Sequence, residues 1–72
     1  MSAVTFEAAL RAGLERVRLA RQVDLDQEAL AAAERSERDA VAGLAPGERD
    51  SYGPALSRAW QEVQDLNSAY LA

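Results

Sequence analysis

The sequence predicts an all-α fold: a short three-helix antiparallel bundle, with helices at about 3–22, 27–42 and 54–70, standing alone or completed by dimerisation. Three observations carry this. Apolar residues recur three and four apart in three separate segments, which is the spacing of one face of an α-helix. No stretch alternates apolar and polar residues with the period of a strand. The connections of about three and ten residues are short enough to make the helices antiparallel neighbours. The 72 residues make one domain, 1–72.

In the first helix Phe6, Leu10, Leu14 and Val17 form the apolar face, while Glu7, Arg11, Glu15 and Arg18 fall on another. Glu7 and Arg11 stand in the favourable i,i+4 order, worth a few tenths of a kcal/mol. Gly13 interrupts this helix at a cost of about 1 kcal/mol relative to Ala. Either the helix simply tolerates it, or a bulky side chain such as Trp60 packs against bare backbone there.

Residues 23–27 read as a tight connection. Asp24 followed by Gln27 resembles a capping box. Asp26 is the alternative cap, with Leu25 and Leu30 as a hydrophobic staple. Glu28 in the next first turn suits the helix dipole. The second helix then runs to Ala42, where Gly43 fits a left-handed cap and Pro46 blocks continuation. Its apolar face is poor: Leu30, Ala33, Ala40, Val41 and Leu44, with Glu37 in the middle. A charge in that place breaks the binary pattern. Glu37 is either half-buried and paired with an arginine of the first helix, or it marks a face left open for a partner. A line of small residues, Ala29, Ala33, Ser36, Ala40 and Gly43, lets another helix approach closely.

Residues 45–54 hold two Pro and two Gly, the strongest break in the chain. Pro46-Gly47 suggests a turn. Gly53-Pro54 fits a helix start with Pro in the first helical position, and Ser51 is the alternative cap. Beyond it Leu56, Ala59, Trp60, Val63, Leu66 and Tyr70 give the cleanest stripe in the molecule, filling two heptads.

Composition narrows the chemistry. Acidic residues number 12 against 8 basic ones, all Arg, for a net charge of -4; Lys, His, Cys and Ile are absent. Disulfides and thiolate metal sites are therefore excluded, and the commonest transition-metal ligand is missing. No Cys or Lys nucleophile exists and no Ser-His pair can form. The expectation is a non-enzymatic protein without cofactor or metal. The scarcity of residues with AT-rich codons suggests a bacterial source of high GC content. No secretory leader is visible and the longest uncharged stretch, 40–47, is too short to span a bilayer. The chain is thus expected in the cytoplasm, with no membrane contact.

Charge is uneven: +2 over residues 1–22, -5 over 23–50 and -1 over 51–72. Four arginines, Arg11, Arg16, Arg18 and Arg21, lie in the first helix. A basic helix can touch phosphates, but an acidic chain is a poor counterion-releasing surface, and complementary packing of a basic helix on an acidic one explains the pattern more simply. Asp24, Asp26 and Glu28 alternate like the opening of a calcium loop. Ala29 stands where Gly is required and Arg35 where Glu is required, so the match fails.

The run Asp24-Leu25-Asp26-Gln27-Glu28-Ala29-Leu30, followed by Glu34-Arg35-Ser36-Glu37-Arg38-Asp39 and Leu44, resembles the middle of flagellar export chaperones. Those are small acidic helical proteins with an Asp-containing link, a charged Glu-Arg stretch and a further amphipathic helix. The likeness is a pattern covering roughly residues 3–71, and this chain is shorter, without a fourth helix. Small type III secretion co-chaperones are similar in size and build. The resemblance implies cytoplasmic binding of unfolded or helical termini of export substrates.

A small domain without disulfides or metal has only association left as an external staple. The expected function is a helical protein-binding module, chaperone or adaptor, that takes an amphipathic helix of a partner or a second copy. Leu56, Trp60, Val63 and Tyr70, with Phe6 and Leu14, form the groove or the core beneath it, and Glu37 is the candidate polar contact. Nucleic acid is not the expected partner. The rival readings are a small dimeric nucleic-acid-associated regulator using the Arg side of the first helix, and a phage- or plasmid-type acidic inhibitor.

Overall fold

A computed structural model describes the backbone of residues 3–71 and the side chains of residues 5–66. It contains three helices, α1 (Ala3–Ala20), α2 (Gln27–Ala42) and α3 (Pro46–Leu71), and no strand among the described residues. The all-α three-helix architecture read from the periodicity is the observed one. α1 is the central element. It packs extensively on α2 and less on α3, while the backbones of α2 and α3 stay apart almost everywhere and meet chiefly through the Tyr52 side chain. At 1.5 Å per residue α3 is about 39 Å long, matching the longest dimension of the 39 × 29 × 17 Å molecule.

α1 ends at Ala20 rather than at residue 22. Its last turn tightens, with the Arg21 N–H shared between the Val17 and Arg18 carbonyls. Of the two candidate caps for α2, the structure selects Asp26. Its carboxylate accepts the Ala29 N–H at 3.1 Å, and its extended backbone (φ -92°, ψ 104°) is that of an N-cap.

The C-terminus of α2 corrects the sequence reading. Gly43 is right-handed (φ -81°, ψ -5°), and no residue among those described has positive φ. A left-handed cap is unnecessary because the terminal carbonyls find other donors. The Gly43 and Leu44 N–H groups bond to the Ala40 and Val41 carbonyls, and the Arg49 guanidinium reaches the Ala42 carbonyl at 3.0 Å.

The start of α3 is the larger correction. The helix begins at Pro46, not Pro54, so the segment read as a break is helical. Pro46 takes the first helical position, where its missing N–H costs nothing. Glu48 reaches back to accept the Ala45 N–H at 3.2 Å, half of a capping box, and the Arg49 N–H bonds to the Ala45 carbonyl at 2.9 Å. Pro54 then sits inside the helix and removes the bond that the Asp50 carbonyl would accept. Both residues are exposed, so water can serve that carbonyl. Packing on either side of the proline holds the helix through it, with Tyr52 before it in the core and Leu56 after it against the core.

That core is small. Ala9, Leu44 and Tyr52 are buried together, with Phe6, Leu10, Ala40, Val41 and Leu56 packed around them. Ala33 is the buried residue of the small-residue line on α2; Ala29 and Ala40 are half-buried, and Ser36 and Gly43 are exposed. No large side chain among the described residues is fully buried.

Candidate functional site

The three helices meet over Tyr52. From α3 its ring enters the gap between α1 and α2, and it stands edge-on to Phe6 at 6.4 Å and 85°. Its hydroxyl reaches two acceptors: the Glu37 Oε2 of α2 at 2.6 Å and the Ala9 carbonyl of α1 at 3.0 Å. A phenol has one proton, so the two contacts share it in a three-centre bond. Arg16 of α1 closes the network, its Nε donating to Glu37 Oε1 and its Nη2 to Glu37 Oε2 at 3.3 Å. The fork-to-fork pairing fixes the carboxylate in one orientation. The Glu37 side chain is only 14% exposed, and that of Arg16 31%.

Gly13 makes room for this node. A Cβ built there would lie 2.2 Å from the Tyr52 hydroxyl, 2.8 Å from Glu37 Oε2 and 2.9 Å from Leu56 Cδ1. The close approach to bare backbone read from Gly13 is present, but Tyr52 makes it and not Trp60.

The electrostatics follow from this packing. Burial alone would raise the Glu37 pKa, but the Arg16 guanidinium and the Tyr52 hydroxyl outweigh it and hold the carboxyl below its ordinary value. Arg16 is pushed up, chiefly by its bonds to Glu37. Tyr52 is also pushed up, first by burial and then by donating to a carboxylate whose charge opposes a phenolate. The node is therefore a neutral phenol, a carboxylate and a guanidinium around neutral pH. A phenol held well above its ordinary pKa is a poor proton-transfer group there.

Between α2 and the start of α3 the surface opens into a shallow depression lined by Arg16, Glu34, Glu37, Arg38, Val41 and Tyr52. Its charges alternate in sign. Among the described residues no group of three or more acidic side chains is placed to hold a metal ion, and no helix is long and apolar enough to cross a membrane.

The residues singled out in the sequence divide between two places. Phe6, Leu56 and Glu37 converge on Tyr52. Leu14 is half-buried on α1 and Val63 half-buried on α3. Trp60 lies at the other end of α1, with the Arg21 guanidinium 5.5 Å from its ring centre. The side chain of Tyr70 lies outside the described residues. Glu37 takes the first of its two readings: it is half-buried and paired with an arginine of α1.

Tyr52 and Arg16 are the site residues that sequence reasoning missed. A signal for Tyr52 existed. Tyr52, Ala59, Val63 and Leu66 stand seven, four and three apart on one line of a helix. The intervening Gly53-Pro54 hid that the line begins so early.

The other arginines of α1 are also engaged. Arg18 pairs with Glu15, its Nε donating at 3.1 Å, and Arg11 lies 4.0 Å from Glu7. Both of these pairs are exposed and contribute little to stability. Comparison with protein-family models, curated proteins and solved structures finds no match to this chain.

Proposed function

We propose that the protein is a non-enzymatic, cytoplasmic helical binding module, of the chaperone or adaptor kind, that docks an amphipathic helix of a partner. One observation supports this above the others. The apolar row of α3 continues beyond what α1 and α2 cover, and it reaches Leu66 with 71% of that residue exposed. Tyr52, at the start of the row, is wedged between two helices. Ala59 and Val63 are half-buried, and Leu66 has lost its cover. A molecule this thin gains stability when another helix supplies the missing apolar surface.

The rival reading as a nucleic-acid-associated regulator needs a free arginine face on α1. Arg16 is held by Glu37, Arg18 pairs with Glu15 and Arg21 stacks on Trp60, so that only Arg11, with a loose 4.0 Å approach to Glu7, stands open on α1, which favours the protein-binding reading. The likeness to export chaperones accords with such a role and contributes the substrate class: helical or unfolded termini.

A ligand that binds only the folded state raises the melting temperature by mass action. An uncharged amphipathic helical peptide, with Leu on one face and Gln and Ser on the other, is expected to do so. A melting temperature unchanged at peptide concentrations of about 1 mM, near the weak limit of specific binding, overturns the reading.

A further inference from the structure

The large hydrophobic residues that stand exposed among those described are Val23, Leu25 and Leu66. They belong to one end of the molecule. Val23 and Leu25 lie in the link between α1 and α2. Leu66 lies on α3, six residues past Trp60, or about 9 Å farther along the helix. Trp60 itself sits against Arg21, immediately after the C-terminus of α1. Residues 61–71 of α3 therefore run past the end of α1 for about 16 Å, or three turns, beside an exposed apolar link.

The charges around this end are mostly acidic. Asp24, Asp26 and Glu28 come from the link and the first turn of α2, and Glu62 and Asp65 from α3. All five are exposed. Against them stand Arg21, stacked on Trp60, and Arg58. Two carboxylates make local bonds, Asp26 as the α2 cap and Asp65 from the Gln61 amide at 3.1 Å; neither bond neutralises its charge.

We infer that this end, with Val23, Leu25, Trp60 and Leu66 as its apolar floor and the five carboxylates as its rim, is the docking surface for a basic amphipathic helix of about three turns. The inference rests on the binding function proposed above and names the place and the partner's charge. Apolar contact supplies affinity, and the acidic rim selects Lys- or Arg-flanked partners and speeds their encounter. A second copy of the chain is the wrong occupant. Its own apolar end carries the same acidic rim, so docking two copies end on end would set like charges against each other.

Trp60 is the single Trp of the chain, so its emission reports occupation of this end. The test uses two Trp-free peptides of about 14 residues, long enough for a helical face once bound. Both carry Leu at i, i+3, i+4 and i+7; one is flanked by Lys and the other by Glu at identical positions. The Lys peptide is expected to shift Trp60 emission saturably and to bind about tenfold more tightly at low salt. The preference is expected to collapse in 1 M salt, where the Debye length is about 3 Å. Leu66→Ser is expected to weaken the Lys peptide about fivefold or more, with the helical circular dichroism and melting temperature of the free protein unchanged.

Equal affinity for the two peptides overturns the charge selection while leaving helix docking in place. Undiminished binding by Leu66→Ser overturns the location. A sedimentation profile showing a dimer that Leu66→Ser dissociates overturns the partner, because the second copy then occupies the surface. Binding by neither these peptides nor the uncharged one overturns both this inference and the proposed function.

Discussion

The two ends of the bundle solve the same problem in opposite ways. At the Tyr52 end, α1, α2 and α3 converge, and a polar network closes the seam where α2 lacks large apolar side chains. At the Trp60 end Val23, Leu25 and Leu66 are left in water. Both ends set an aromatic residue of α3 near an arginine, Arg16 within α1 at one and Arg21 just past its end at the other. At one, Arg16 reaches Glu37 and holds the carboxylate to which Tyr52 donates; at the other, Arg21 merely covers the face of Trp60. In a chain this small, one end is closed by a part-buried hydrogen-bond network, and the other leaves large apolar side chains exposed.

Substitutions should separate the ends by the size of their effect. The largest belongs to Gly13. Gly13→Ala adds about 1 kcal/mol of helix propensity but drives a Cβ into the Tyr52 hydroxyl. A net loss of about 2–4 kcal/mol in urea denaturation is expected from overpacking and broken hydrogen bonds. Gly47, near the start of α3, has nothing within 4 Å of its virtual Cβ, so Gly47→Ala is the control and should lose nothing. A stabilised Gly13→Ala protein would show that the helices do not converge there as described.

Glu37→Gln comes next, with a loss of about 2–3 kcal/mol, because it leaves the Arg16 guanidinium half-buried without a counter-charge. Glu37→Leu should be no better, although it repairs the apolar pattern of α2, since Arg16 and Tyr52 would both lose their partner. The same pair sets the pH dependence. The Glu37 pKa is lower in the folded than in the unfolded chain, so its contribution is complete above the unfolded value of about 4.3. That contribution is lost as pH falls through the lower folded value. Tyr52 is shifted upward, so its contribution is complete below about pH 10 and is lost as pH rises through the higher folded value. Stability is thus expected to be level across neutral pH and to fall at both extremes. Glu37→Gln should flatten the acid limb relative to the parent in denaturation midpoints measured from pH 3 to 7.

Tyr52→Phe keeps the ring against Phe6 and removes the proton shared by Glu37 and Ala9. The expected loss is about 1–2 kcal/mol, with a gentler alkaline limb. At the open end, Leu66→Ser should change stability by no more than about 0.5 kcal/mol. A loss of 2 kcal/mol or more there would mean that Leu66 already has cover and that the two ends are alike.

Much of this was legible from the residues. The apolar spacing of Phe6, Leu10 and Leu14, and of Leu56, Val63 and Leu66, located α1 and the main part of α3. The misplaced charge at Glu37 pointed to an arginine of α1, and a close approach at Gly13 was one of two readings, with Trp60 rather than Tyr52 as the candidate. The helical state of 46–53 was not legible, because Pro and Gly weigh heavily in local propensity and tertiary packing overrode them. With α3 placed too late, Tyr52 fell in an apparent loop and the centre of the site was lost. Gly43 misled for a related reason. Its usual role as a left-handed cap was unneeded once Arg49, seven residues beyond Ala42, served the last carbonyl of α2.

The sequence by itself determined the class of fold, the exclusion of disulfide and thiolate chemistry, and the segregation of charge, since these follow from residue types and short-range periodicity. Tertiary structure alone decided which arginine meets Glu37, which aromatic enters the Gly13 notch, and which end of the bundle stays open. Those outcomes depend on how three helices cross, and that geometry is set by contacts between residues far apart in the chain, such as Ala9 with Tyr52 and Arg16 with Glu37.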